Sequence, residues 1–305
     1  MAGRKREGAA SLKETARRAA VLGHPIGHSK SPLLHRAAYS YLGFDCSYDA
    51  VDVPESDAAA FAASLRVPGE KPWAGLSVTM PLKSALVPAM DRLTDMASAL
   101  GVLNTVTFDY TADRVVLTGH NTDVAGIVNA LRHAGARPAP RTVILGSGGT
   151  ACAAVAAAGA LGAVSVDVHA RRFPAGPDGR SAVEAAGHRT GTPVRLLPWE
   201  EAAAACAAAD VVISTLPPRA ADPLAQAVSA AAPDCSGAVL LDVAYDPWPS
   251  ALAHAWEQRG GRIVPGLEML LYQAVEQVRL FSGNKFRDEA AVTNVMCDAV
   301  GAPRR

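Results

Sequence analysis

The sequence predicts an α/β protein of two domains, and three observations predict it. Short apolar runs alternate with amphipathic or alanine-rich runs along the chain, the βαβα order that builds parallel sheets. At 305 residues the chain is long enough for two separate cores. A glycine-rich turn, Gly146-Ser147-Gly148-Gly149-Thr150-Ala151, joins the apolar run 141–145 to the alanine-rich run 151–160, yet residues 1–140 precede it. A strand, turn and helix of this kind cradles a dinucleotide pyrophosphate on a helix N-terminus. Such a turn ordinarily opens its domain, so another domain folds ahead of it, and that one is expected to hold the substrate.

The elements follow in order. Residues 18–22 form a short apolar strand, and residues 32–42 carry apolar positions at helical spacing, with Ser31 ahead of Pro32 as an N-cap. Residues 47–53 alternate as a strand, 55–65 read as a helix, and 75–78 form a strand that stops at Thr79-Met80-Pro81. A helix starts at Leu82, residues 104–108 and 114–118 look like paired strands, and 124–135 read as a helix with Asp123 near its N-cap. Pro138 and Pro140 break the chain before the glycine turn. Beyond it, residues 163–169, 194–197, 211–214 and 239–243 are buried strands with helices between them, as in a Rossmann-type parallel sheet.

Composition narrows the function. Half the residues are apolar and the formal net charge is zero, so neither nucleic acid nor an anionic membrane is an implied partner. No apolar run is long enough to span a bilayer. Residues 1–18 are charged and rich in small residues, without the apolar core of a secretory signal, and read as a loose tail or an irregular first turn. The five cysteines are scattered with no C-x-x-C pair, which argues against a disulfide framework or a metal site and for a reduced, cytoplasmic enzyme. His24, His28 and His35 are irregularly spaced without an accompanying carboxylate, a poor metal set.

Chemistry-bearing residues fall at element junctions. In the turn, Ala151 takes the place of a third glycine, where helix packing on strand demands only a small residue. An NAD site wants an acidic residue after the next strand, but Arg171 and Arg172 stand there, and guanidinium groups match a ribose 2′-phosphate. NADP is therefore the expected cofactor; Asp167 is a weaker candidate for the ribose. In the first half, Ser29 and Ser31 put two hydroxyls beside a helix start, which suits a small carboxylate. Lys83 follows the strand-proline turn, and Asp123 sits in Gly119-His-Asn-Thr-Asp123. Alone, a lysine there is a solvated residue and an aspartate there a cap. Together they form a pair able to relay a proton to an alcohol, and Asn104 adds an amide that donates and accepts. So many polar groups at early strand ends suit a polyhydroxylated acid.

The motifs resemble those of the NADP-linked shikimate dehydrogenase family. The residues that carry the resemblance are Gly23-x-Pro25-x-x-His28-Ser29-x-Ser31-Pro32, Val78-Thr79-x-Pro81-x-Lys83, Asn104-Thr105 and Gly119-x-Asn121-Thr122-Asp123-x-x-Gly126. The Gly146–Ala151 turn, Asp242-Val-Ala-Tyr245-x-Pro247 and Pro265-Gly-Leu-x-Met269-Leu-x-x-Gln273 complete the set in the expected order. The resemblance implies reversible hydride transfer between NADPH and 3-dehydroshikimate to give shikimate, a step of chorismate and aromatic amino-acid biosynthesis. It implies that Ser29 and Ser31 bind the substrate carboxylate with Tyr245 nearby, and that Lys83 and Asp123 are catalytic. Asn104 and Gln273 would bind ring hydroxyls, Thr79 and Ser77 would line the pocket, and Met269 would lie near the nicotinamide. Thr215 falls in the family's cofactor-side segment, with Gly146, Ser147, Gly148, Gly149, Thr150, Ala151, Arg171 and Arg172.

The implied fold is an N-terminal α/β substrate domain over residues 1–125, completed by a C-terminal helix over 265–305, a Rossmann-type NADP domain over 126–264, and a cleft between them. Four departures stand out. Ser77 takes the place of an asparagine that bonds substrate, Ala170-Arg171-Arg172 replaces Asn-Arg-Thr, Ser214-Thr215-Leu216-Pro217 replaces a more polar segment, and Ser250 replaces a frequent threonine. Quinate or aminoshikimate oxidation stays open beside shikimate. A non-catalytic dinucleotide sensor is disfavoured by retention of Lys83 and Asp123, and a methylene-tetrahydrofolate-type dehydrogenase by the Ser29–Ser31 loop. The substrate is a small molecule; a homodimer is compatible with this reading but not set by it.

Overall fold

The computed structural model describes residues 16–67, 70–176, 178–231 and 234–305. Most of the tail expected over residues 1–18 lies outside them, and Arg17 and Arg18 open the first strand. The first half of the chain runs β1 (Arg17–Gly23), α1 (Ser31–Leu42), β2 (Cys46–Asp52), α2 (Ala58–Ser64), β3 (Trp73–Val78), α3 (Leu82–Ala85), β4 (Arg92–Leu93), α4 (Asp95–Leu100), β5 (Thr105–Tyr110), β6 (Val115–His120) and α5 (Asp123–His133). The second runs β7 (Arg141–Leu145), α6 (Gly149–Ala160), β8 (Ser165–Ala170), α7 (Ala182–Thr190), β9 (Arg195–Pro198), α8 (Ala202–Ala208), β10 (Val211–Ser214), α9 (Asp222–Ala231), β11 (Val239–Asp242), α10 (Ala251–Glu257), β12 (Arg262–Pro265), α11 (Gly266–Ser282) and α12 (Glu289–Val300).

Among the described residues two six-stranded sheets result, ordered β2-β1-β3-β5-β6-β4 and β12-β11-β10-β7-β8-β9. The second is parallel throughout, and β10 and β11 are buried along their whole length, as strands covered on both faces must be. The first is mixed rather than parallel: β5 runs antiparallel to both β3 and β6. The reason is local. Four residues separate β5 from β6, enough for a hairpin and far too few for a crossover.

Alanine decides the packing of the second sheet. In α6, Ala151 to Ala158 is buried with Cys152 and Val155 among them, so the helix is apolar all round and sits against α5 and α7. Helix α11 couples the two halves. Its residues Leu271, Ala274, Val275, Val278 and Phe281 share a core with Ala19, Val21 and Tyr48 of the first sheet, Leu34 of α1, and Val292 and Met296 of α12. Its first turns pack on α5, where Gly126 permits an unusually close approach. A Cβ at that position would lie 2.8 Å from the Met269 carbonyl oxygen and 2.9 Å from Gln273 Cβ, closer than van der Waals contact allows.

One cap differs from expectation, and one residue expected near a cap has its side chain committed elsewhere. Lys30, not Ser31, is the N-cap of α1, and Ser31 is its first helical residue, so the Ser31 hydroxyl is not consumed as a cap. Asp123 likewise sits just inside α5, behind Thr122 at the N-cap, and its carboxylate is engaged elsewhere.

Candidate active site

The dinucleotide side begins where β7 ends. Gly146 adopts φ +114, and a Cβ there would lie 2.5 Å from Thr215 Oγ1, so the turn demands glycine twice over. Thr215 in turn donates to the Leu145 carbonyl at 2.8 Å, tying the β10 end to the β7 end. Gly148 is the N-cap of α6 and offers no side-chain acceptor, so the first N–H groups of the helix have no side-chain partner. The turn opens onto a cavity of about 710 Å³ whose walls include Gly146, Ser147, Arg171, Arg172, Trp199 and Leu216. Ser147 donates to the Arg172 carbonyl at 3.0 Å, which pins the arginine loop to the glycine turn. Uncapped N–H groups and two exposed guanidinium-bearing residues on one cavity fit a pyrophosphate and a 2′-phosphate. Asp167 is not among the residues lining this cavity, and its carboxylate takes both Nε (2.6 Å) and a terminal nitrogen (2.5 Å) of Arg195.

A second cavity has a volume of about 170 Å³. Of the residues expected to contact substrate, Ser31, Ser77, Thr79, Asn104, Tyr245 and Gln273 line it, together with Lys83 and Asp123. Thr150 and Met269 line it as well, so the first turn of α6, which follows the glycine turn, and the start of α11 form part of its wall. Ser29 stands outside these walls, its hydroxyl accepting from the Ser31 N–H at 3.3 Å.

Lys83 reaches the cavity because β3 ends at Val78 and the chain turns through Pro81 into the short helix α3. Its Nζ donates to Asp123 Oδ2 at 2.5 Å and to Thr150 Oγ1 at 3.4 Å. The side chains of this pair are only 15% and 6% exposed, which concentrates their mutual attraction. The second carboxylate oxygen of Asp123 accepts from Asn104 Nδ2 at 2.8 Å. The sense of the Asn104 amide is fixed by the Thr122 N–H, which donates to its Oδ1 at 2.7 Å. Gln273 Oε1 accepts from Asn104 Nδ2 at 3.2 Å, drawing α11 into the same network. Burial raises the Tyr245 phenol above its ordinary range, keeping it a neutral donor beside the backbone of Lys30.

Sequence reasoning misses a row of buried polar groups behind this wall. Gln277 also lines the cavity and holds Ser77, Thr105 and His35, while Tyr48 donates to Ser77 at 2.6 Å. The signal is there to be read: Gln277 lies one helical turn beyond Gln273 and so shares its face of α11. The spacing of His35 bears only on a metal set, whereas in the structure it is a core histidine, stacked on Tyr48 at 4.0 Å between ring centroids. Burial lowers its pKa to about 3, leaving the ring neutral. Trp199 on the dinucleotide cavity likewise carries no motif that singles it out.

A pyrophosphate cradle sharing a border with a lysine–carboxylate pair defines a dinucleotide-linked dehydrogenase of the two-sheet type. Residues 21–106 match the family model described as the shikimate dehydrogenase substrate binding domain. The chain is 35% identical over 296 residues to the shikimate dehydrogenase (NADP(+)) of Moorella thermoacetica, covering 93% of each chain. It superposes on the shikimate dehydrogenase of Mycobacterium tuberculosis with a TM-score of 0.76 at 36% identity, over 92% of this chain and 99% of that one. The Thermus thermophilus enzyme, solved in complex with NADP(H) and shikimate, gives 0.72 at 27% identity over 93% and 99%. The chain belongs to the shikimate dehydrogenase family.

Proposed function

We propose that this chain catalyses the reversible reduction of 3-dehydroshikimate to shikimate with NADPH. The observation that carries the reading is the 2.5 Å Lys83–Asp123 contact in a cavity whose other polar walls are hydroxyls and carboxamides, bordered by the first turn of α6. The naming of the Moorella relative and the ligands of the Thermus structure point the same way. Bound at the glycine turn, NADPH supplies the hydride. The Lys83 ammonium donates a proton to the alkoxide as it forms, and Asp123 aims that ammonium while Asn104 holds Asp123 from its other side. Ser31 and Tyr245, with Ser29 beside them, bind the substrate carboxylate; Asn104, Gln273 and Ser77 take ring hydroxyls, and Thr79 closes the wall. Arg171 and Arg172 bind the 2′-phosphate, and Met269 meets the nicotinamide.

Residues 1–125 with 265–305 would then act as the substrate domain and residues 126–264 as the NADP domain. The five cysteines, none of them joined in a disulfide, suit a reducing, cytoplasmic compartment. Among the described residues no helix is long and apolar enough to cross a membrane. The test is nicotinamide absorbance with purified protein, pairing shikimate or quinate with NADP or NAD. Fast reduction of NADP by shikimate is expected. A preference for quinate or NAD would reassign the substrate or cofactor, and no reduction in a folded protein that still binds NADP would overturn the reading.

A further inference from the structure

We infer that Gln277 is a specificity-determining positioning residue: it holds the Ser77 hydroxyl hydrogen away from the cavity, so that this stretch of wall offers substrate a lone pair and no donor. The inference rests on the proposed reaction and deepens it, by naming the hydrogen-bonding character that one ring substituent must have.

The hydrogen bonds leave one arrangement. The Gln277 amide faces two groups with its nitrogen, the Asn104 carbonyl at 3.1 Å and Thr105 Oγ1 at 2.8 Å. A carbonyl only accepts, so the nitrogen must lie on that side and the amide cannot flip. Gln277 Oε1 is therefore an acceptor at the opposite end, where it meets Ser77 Oγ at 2.7 Å and His35 Nε2 at 3.2 Å. Ser77 owns one hydroxyl hydrogen, and it goes to Gln277. Tyr48 must then donate to Ser77 at 2.6 Å, since Ser77 has no hydrogen left to give. Ser77 is 4% exposed and Gln277 1%, so water does not compete for these bonds. One lone pair of Ser77 remains, and Ser77 lines the cavity.

The same bonds run in one direction toward the reaction centre. Tyr48 donates to Ser77, Ser77 to Gln277, Gln277 to Thr105, Thr105 to Asn104 Oδ1 at 2.9 Å, and Asn104 to Asp123. A directed chain of this kind polarises each member in the same sense. Gln277 thus fixes both the acceptor wall and the geometry of Asn104. A substrate hydroxyl or amine seated at Ser77 is accepted. A methyl ether or carbonyl there would leave two acceptors facing each other, the kind of mismatch a built polar site rejects strongly.

The test uses the full-length enzyme with NADP, shikimate and a set of shikimates in which one ring hydroxyl at a time is methylated or removed. Turnover of shikimate by the unaltered protein establishes the underlying reaction separately, before any variant is measured. In Gln277→Met the Ser77 hydrogen is released toward the cavity. The kcat/KM ratio of shikimate over the methyl ether modified at the Ser77-facing position should fall roughly tenfold or more, mainly through KM. Ser77→Ala should lower the same ratio, and Gln277→Met should add nothing to that ratio in the Ser77→Ala background, because the two act through one hydroxyl. Equal losses for shikimate and all analogues, or additive effects in the double variant, would overturn the inference. Should Gln277→Met fail to fold, the ratio in Ser77→Ala alone decides: an unchanged ratio overturns it as well.

Discussion

Acidification from pH 7 to pH 5 should cost this protein about 2 kcal/mol at a single residue, His35. The ring is fully buried, stacked on Tyr48, and bonded to Gln277 and Tyr39, with no ionised partner among these contacts. Desolvation lowers its pKa from 6.5 to about 3. Its folded value is thus depressed: the unfolded chain takes up a proton as pH falls through 6.5, while the folded chain does so only near 3. Stability from the neutral ring is complete above the unfolded pKa and drains away across that window, at about 1.36 kcal/mol per pH unit once well below 6.5. At pH 7 the unfolded chain is only partly protonated and little is lost; at pH 5 the loss approaches one and a half such units, giving the ~2 kcal/mol above. Urea denaturation at both pH values measures it. His35→Asn takes up no proton in this range, so its own loss between pH 7 and pH 5 should be smaller than that of the unaltered protein by the same ~2 kcal/mol. Equal losses in the two proteins would refute the argument.

Other sites give sharper yes-or-no results. Arg171→Glu should raise the NADP dissociation constant at least about tenfold while changing that of NAD much less, as read by fluorescence titration; parallel losses would remove Arg171 from the 2′-phosphate. Gly146→Ala places a Cβ at φ +114 and against Thr215 Oγ1, so thermal denaturation should show a loss of about 2 kcal/mol or more, and an unchanged midpoint would contradict the turn geometry. Gly126→Ala should push α11 away from α5 at Met269 and Gln273, costing about 1–3 kcal/mol of stability with a raised KM for shikimate. A KM equal to that of the unaltered protein would show that this approach does not shape the pocket.

Much of this is legible in the sequence because most strands of the second sheet are short apolar runs. Parallel strands buried on both faces carry no competing polar pattern, so residues 211–214 and 239–243 read correctly to within a residue. Strands β4 and β12 and helix α4 leave no such trace, because two to six residues are too few for a period to emerge. The caps mislead for a different reason. Serine and aspartate at helix starts are ordinarily caps, and only tertiary partners, Lys83 and Asn104 for Asp123, show that the side chain is committed elsewhere. Single residues at junctions, such as Ser31, Lys83 and Asn104, are readable as candidates, yet their convergence is a property of the sheet ends. Gln277 shows what motif reading leaves out: its place one turn beyond Gln273 puts it on the same helix face, but its meaning comes from Ser77, Thr105 and His35, all far from it in the chain.

The central claim is that Lys83 delivers the proton at a centre built for shikimate and NADP, and single-turnover kinetics of Lys83→Ala beside direct NADP titration tests it most directly. The account predicts a hydride-transfer rate lower by roughly 10²–10⁴-fold with the NADP dissociation constant unchanged to within about twofold. Turnover that survives the substitution, in a protein that still binds NADP, would contradict it.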